Sequence, residues 1–351
     1  MHVIYTLIIT VSFLAFGESH DSARSFRETA PETSLFCSDP IKAVCDRAEE
    51  RKLKPSYADR ESVVKKTLKS SQVSKAVLSD SSHKKWMDTY KTYLTELRNV
   101  EKLSLDVVKA EMEEVRGQVR RSVENSVPAP ERFEMLKALE PIQIGSRLQF
   151  LLDNWNEDNL LYFLNYCGSD GLSQNASFSR SSSTVMFCPV YFTSAMNDEQ
   201  RFRVLGHEIG HGIDSEKFPE TYHLLLSCYK HYYPEYKDVQ AGELVSDMWS
   251  VSAFTLRNAG KSADEFLDGA AKAYFHYCDT KNPSVLQKPE LVTEYDQKLN
   301  RGVVVHPEGA FRLGVIFGND AKVRQMMGCA PANILAPSCS LEGRARRLFG
   351  E

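Results

Sequence analysis

The stretch Val204-Leu205-Gly206-His207-Glu208-Ile209-Gly210-His211 constrains this chain more than any other. Positions four apart on an α-helix share a face. A helix here points both imidazoles at one spot, and whatever completes their chemistry must fold back onto that face. The HExxH pattern on a helix suits a zinc ion, with the glutamate reaching a water on the metal. His207 and His211 are therefore metal-ligand candidates, and Glu208 is a candidate general base. Met196-Asn197-Asp198 offers an N-cap for this helix. Gly206 and Gly210 lower its helix propensity. Either they admit a second backbone at close range or they are simply tolerated.

A catalytic zinc takes three protein ligands and keeps one position open. Gly242-Glu243-Leu244-Val245-Ser246-Asp247 supplies the best third ligand, Glu243, early in a second helical pattern. Asp247 sits one turn further on the same face. There it can accept the N–H of a liganding histidine and fix that ring's tautomer. Zinc lowers the pKa of its water to about 7. Glu208 can take that proton and later pass it to a leaving amine. The developing oxyanion needs a further donor, and His306 and Arg312, in Val305-His306-Pro307-Glu308-Gly309-Ala310-Phe311-Arg312, are candidates. Taken singly, each of these downstream residues reads as an ordinary surface group; coupled to HExxH, Glu243 and Asp247 read as a site.

The rest of the chain sets the context. With 351 residues, 42% of them hydrophobic, it can bury a large core, and a net charge of −4 lacks the basic excess of a nucleic-acid binder. Val3 to Phe16 is apolar and uncharged, but shorter than the ~20 residues that span a bilayer. Small residues at Ala15 and Gly17 precede a polar turn. Residues 1–17 thus read as a secretory signal peptide, with no stable membrane span and an extracellular destination. Eight cysteines, an even number in a secreted chain, suggest disulfides, though spacing alone leaves the pairing open.

Helical periodicity runs through Lys84–Leu103, Leu105–Val123, Glu131–Leu139, Ser146–Tyr166, Ala241–Asn258 and Ser262–Tyr277. Val127-Pro128-Ala129-Pro130 is a break. Thr184–Pro189 reads as a short strand, Phe218–Asp238 as loop plus a short helix, and residues 18–60 show little regular pattern. The expected class is mainly α with a small β-sheet (α+β).

Several separated segments resemble the neprilysin and endothelin-converting-enzyme family of zinc metallopeptidases. His207–Asp214 (HEIGHGID) is similar to the family's HEITHGFD, Gly242–Asp247 (GELVSD) to GENIAD, and Val305–Arg312 (VHPEGAFR) to VHSPGNFR. Asn175-Ala176 in NASF resembles its NAYY or NAFY. The resemblance implies a thermolysin-like zincin that hydrolyses peptide bonds in peptides or proteins. His207, His211 and Glu243 would bind one zinc, Glu208 would act as base, and Asp247 would orient a ligand histidine. His306 would stabilise the oxyanion and Arg312 would bind the substrate backbone or its terminal carboxylate. Asn175 and Ala176 would hold the substrate main chain, with Val185–Pro189 as the edge strand. It also implies the pairs Cys37–Cys329, Cys45–Cys278 and Cys228–Cys339, which leaves Cys167–Cys188. Residues 18–60 would be tied to a catalytic domain over 161–351, with 61–160 as a reduced helical cap. After Asp247 the chain reads Met248-Trp249-Ser250 where the family has Asn-Gly-Gly. The alternative is an inactive relative that only binds zinc and peptide.

Overall fold

Asp39 and Pro40 show how the early part of the chain becomes helical. The Asp39 side chain accepts from the Lys42 amide at 2.9 Å, and Pro40 sits in the first turn, where its missing N–H costs nothing. The computed structural model describes residues 31–53, 83–129, 131–167, 173, 175–193, 196–213, 218–234, 238–278, 307, 309–330 and 339. The expected signal peptide and His306 lie outside the described residues.

In chain order the elements are α1 (Pro31–Ser38), α2 (Pro40–Glu50), α3 (His83–Ser126), α4 (Glu131–Leu139), β1 (Gln143–Ser146), α5 (Arg147–Asp153) and α6 (Glu157–Cys167). Then come β2 (Ala176–Ser179), β3 (Thr184–Phe187), α7 (Asp198–Ile213), α8 (Pro219–Tyr232), α9 (Asp238–Arg257), α10 (Ala263–Tyr274), α11 (Gly309–Phe311) and α12 (Ala321–Met326). A π-helical turn, Arg312–Phe317, continues α11. The architecture is mainly helical with one small mixed sheet of order β1-β3-β2, an α+β arrangement. β3 pairs parallel with β1 (Ile144 opposite Val185) and antiparallel with β2 (Phe178 opposite Val185).

Several local expectations are corrected. The two helices expected on either side of Ser104 are one helix of 44 residues, because nothing between them breaks the pattern. The single helical stretch expected over Ser146–Tyr166 is two helices. Asn154 donates to the Phe150 carbonyl and Asn156 caps α6 through the Asn159 amide at 2.8 Å, so asparagine side chains replace the helical bonds there. The segment after Phe218 is a helix of 14 residues. Pro219 starts it rather than breaking it, and the Glu131 carboxylate of α4 accepts from the Glu220 and Thr221 amides at 2.7 Å each. β3 is the central strand, and the edge strand on the Asn175 side is β2.

The main core joins Val115 and Val119 of α3, Leu205 and Ile209 of α7, Leu244 and Trp249 of α9, and Phe317. A smaller cluster gathers Leu94 and Leu97 at the other end of α3 with Leu148, Leu151 and Phe163 of α5 and α6. Helix α3 therefore spans both clusters, and the sheet joins strands from either side of residue 160. Helix α7 is buried on nearly every side. Several of its polar members are paired: Arg201 makes two bonds of 2.7 Å to Glu111 of α3. Asn197 and Gln200 cap its start reciprocally, each side chain accepting from the other's amide.

The two glycines of α7 have a specific use. A Cβ on Gly206 would lie 3.0 Å from Ser250 Cα, and one on Gly210 2.9 Å from Ser246 Cα. Helix α9 thus runs against the bare glycine stripe of α7, with Ser246 and Ser250 as its own small residues. Gly210→Ala would gain ~1 kcal/mol of helix propensity and lose ~1–3 kcal/mol to overpacking against backbone that cannot yield. A net loss of stability is expected in denaturant unfolding; a more stable variant would show that the helices can separate freely.

Four disulfides brace this assembly: Cys37–Cys329, Cys45–Cys278, Cys167–Cys188 and Cys228–Cys339. These are the pairs that the resemblance and its remainder imply. The first two tie α1 and α2 to the C-terminal half of the molecule. Such bridges fit an extracellular protein. Among the described residues, no helix is long and apolar enough to cross a membrane.

Candidate metal centre

The glycine contact decides where the site forms. His207 and His211 each follow a stripe glycine by one residue, and Glu243 and Asp247 lie one helical turn apart on the apposed α9. Close approach brings the four side chains to one place. His207 Nε2 lies 3.0 Å from Glu243 Oε2 and 3.2 Å from His211 Nε2. His211 Nε2 lies 3.4 Å from Glu243 Oε1. All the donor atoms of this trio fall within 4.8 Å of one another. A tetrahedral ion with bonds of ~2.0–2.2 Å keeps its ligands roughly 3.4 Å apart. The spacing therefore fits three ligands of one small cation.

The remaining ring nitrogens explain why a cation suits the centre. Asp247 Oδ1 lies 2.9 Å from His207 Nδ1. A carboxylate only accepts, so Asp247 favours the proton on Nδ1; with a cation between Nε2 and Glu243, that tautomer turns a bare Nε2 inward. Ser246 Oγ lies 2.9 Å from His211 Nδ1, and its hydroxyl can accept from that nitrogen, which leaves His211 Nε2 bare for a cation. Two lone pairs and a carboxylate then face one another, which a bound cation relieves. Two histidines and one carboxylate with an open fourth position form a donor set found in catalytic zinc sites.

The electrostatics follow from burial and one strong pair. Arg312 donates from Nε to Asp247 Oδ2 at 2.5 Å and from Nη2 to Oδ1 at 2.6 Å. Burial pushes the Asp247 carboxyl up, but Arg312 and His207 outweigh it and hold the group well below the usual carboxylate range. Burial alone would lower the Arg312 guanidinium; Asp247 overcomes it and raises it. For His207, burial again works against the charged form, and Asp247 wins by raising it. The π-helical turn that begins at Arg312 widens the backbone where this side chain leaves it.

The other sequence candidates are placed as follows. Glu208 is buried at 5% exposure beside the histidines, and its Oε2 has no hydrogen-bond partner among the described residues. Arg312 is inside the centre, spending two donor positions on Asp247. Asn175 precedes the edge strand, but its side-chain amide donates to the Tyr166 carbonyl at 3.1 Å, and its own carbonyl accepts from Cys188 at 3.1 Å. Asn175 therefore braces the loop around Cys167–Cys188. Ala176 begins β2 and pairs across from Phe187. β2 lies beside the motif helix: Phe178 Cζ would be 3.2 Å from a Cβ on Gly212.

Ser246 is the functional candidate that sequence reasoning missed. Serine is not among the usual metal ligands, and its signal is positional: one residue before Asp247, facing the same apposed helix. Ser246→Ala is expected to weaken metal binding by ~10-fold, the low end for losing a group that orients a ligand. Chelator competition checks this, and unchanged affinity would leave Ser246 as a packing residue only. Neither the protein-family models nor the curated proteins contain a match to this chain.

Proposed function

We propose that this protein is a secreted zinc metallopeptidase with a thermolysin-like zincin fold and a reduced helical cap, a shortened relative of the neprilysin family. The observation that carries the reading is the convergence of His207, His211 and Glu243 at 3.0–3.4 Å, with the far nitrogens of both rings held by Asp247 and Ser246. Bound zinc would supply an acidified water and a Lewis acid for the scissile carbonyl.

The chain's own groups do the rest. Glu208 has a buried carboxylate oxygen open to a proton, as a general base requires, and can return that proton to the leaving amine. Asp247 accepts from His207 Nδ1, which orients the ring and directs Nε2 at the metal position. Arg312 retains donors beyond the two given to Asp247, for a substrate carbonyl or carboxylate. His306 is assigned the oxyanion on the resemblance alone. The side of β2 away from β3, unpaired among the described residues, supplies backbone groups that an extended peptide can pair with. The four disulfides support an extracellular setting.

Hydrolysis of a mixed peptide library by the purified protein tests the reading. Activity should vanish with chelator and return with one equivalent of zinc. Zinc bound tightly with no cleavage of any peptide would favour the inactive peptide-binding alternative.

A further inference from the structure

We propose that Tyr277 is a positioning residue for the His207–Asp247–Arg312 arrangement, an inference that rests on the metal-site reading above. Tyr277 ends the 3-10 turn Phe275–Tyr277, directly before Cys278, which is bonded to Cys45 of α2. Its hydroxyl accepts from Arg203 Nη1 at 2.9 Å. Arg203 lies one turn before His207 on α7 and is 7% exposed. Its guanidinium carbon lies 5.0 Å from the Tyr277 ring centroid. The same ring receives Arg312, whose guanidinium carbon lies 5.4 Å from the centroid.

Gly309 supplies an independent observation. A Cβ there would come within 2.5 Å of Tyr277 Cδ1 and 2.9 Å of Cγ. The ring is therefore pressed against the backbone of α11, one turn before Arg312. Tyr277 thus touches the histidine helix through Arg203 and the arginine helix directly. Its aromatic face attracts the Arg312 cation and limits where that side chain can go. Arg312 fixes Asp247 by two hydrogen bonds, and Asp247 fixes His207. The Cys45–Cys278 bridge anchors the turn that carries the ring. This gives a physical reason for tying α2 to this part of the chain.

Two properties are read in the full-length protein, for Tyr277→Phe and Tyr277→Leu. One is solvent exchange of the Arg312 Nε–H, followed by NMR of arginine-labelled protein and assigned with Arg312→Lys. The other is zinc affinity by chelator competition. Tyr277→Leu should speed Arg312 exchange by at least ~10-fold, because the side chain loses its cover. It should also weaken zinc by ~10-fold. Tyr277→Phe keeps the ring and should stay within about threefold of wild type in both. Wild-type exchange and affinity in a folded Tyr277→Leu protein would overturn the proposal. If that variant does not fold, Gly309→Ala, which displaces the ring, is read in the same way. If the wild-type protein binds no zinc, the metal reading fails, while Arg312 exchange still decides the role of Tyr277.

Discussion

Asp247→Ala is expected to destabilise the protein by ~3–5 kcal/mol, because it strands Arg312 as an unpaired buried cation. Arg312 is only 9% exposed and donates two short hydrogen bonds to this one carboxylate. A surface ion pair would cost less than ~1 kcal/mol to break, so the size of the effect reports the burial. The same substitution frees the His207 ring and should weaken zinc by ~10–100-fold. Asp247→Asn separates the two roles: it can still accept from His207 Nδ1 but no longer neutralises Arg312. It should therefore lose more stability than metal affinity. A double change of Asp247 and Arg312 to apolar residues should recover much of the stability and none of the affinity. Denaturant unfolding and chelator competition on the set check all of this.

The sign of the pH dependence follows. The folded-state pKa of Asp247 is depressed below its ordinary value of ~3.9. Its stabilising contribution is therefore complete above that ordinary value. It is lost as pH falls from there towards the folded value. Wild type should lose this contribution in acid, and the Asp247→Asn variant should show a flatter acid limb.

Glu208→Gln is expected to reduce peptide hydrolysis by ~10²–10⁴-fold, the usual range for removing a general base, with zinc content unchanged. That corresponds to roughly 3–5 kcal/mol in the barrier. Zinc should remain because Glu208 is not one of the three converging donors. The amide fills the same volume, so folding should be preserved. Retained activity would remove Glu208 from the chemistry. Loss of zinc along with activity would mean that the carboxylate holds the metal site together instead.

How much of this was legible in the sequence varied with the physics involved. The helix of the motif, its asparagine cap and the second helix were readable because period and capping are local properties. So was the grouping of His207, His211, Glu243 and Asp247, since each pair shares a helix face. The close crossing that unites them was visible only as an ambiguity, because Gly206 and Gly210 have a use only once Ser246 and Ser250 are opposite. The extent of the helix after Phe218 was hidden because the meaning of Pro219 depends on position: it opens a helix that Glu131 caps from another element. The strands β1 (QIGS) and β2 (ASFS) were hidden because their small and polar residues carry a weak strand signal, unlike the TVMF of the equally short β3. The contact of the Asn175 amide with the Tyr166 carbonyl of α6 was not legible, because only the fold brings the two together. The Tyr277 contacts join three segments far apart in sequence, and no spacing rule reports them.

The most direct test of the central claim is the zinc-loaded wild-type protein examined by metal analysis and X-ray absorption, alongside Glu243→Gln. The predicted result is one zinc per chain, with two imidazole nitrogens and carboxylate oxygen in the first shell and no sulfur. Glu243→Gln should then bind zinc more weakly, with the carboxylate contribution gone. Zinc that fails to bind, or that binds with the same affinity and spectrum after Glu243 is changed, would contradict the three-residue centre.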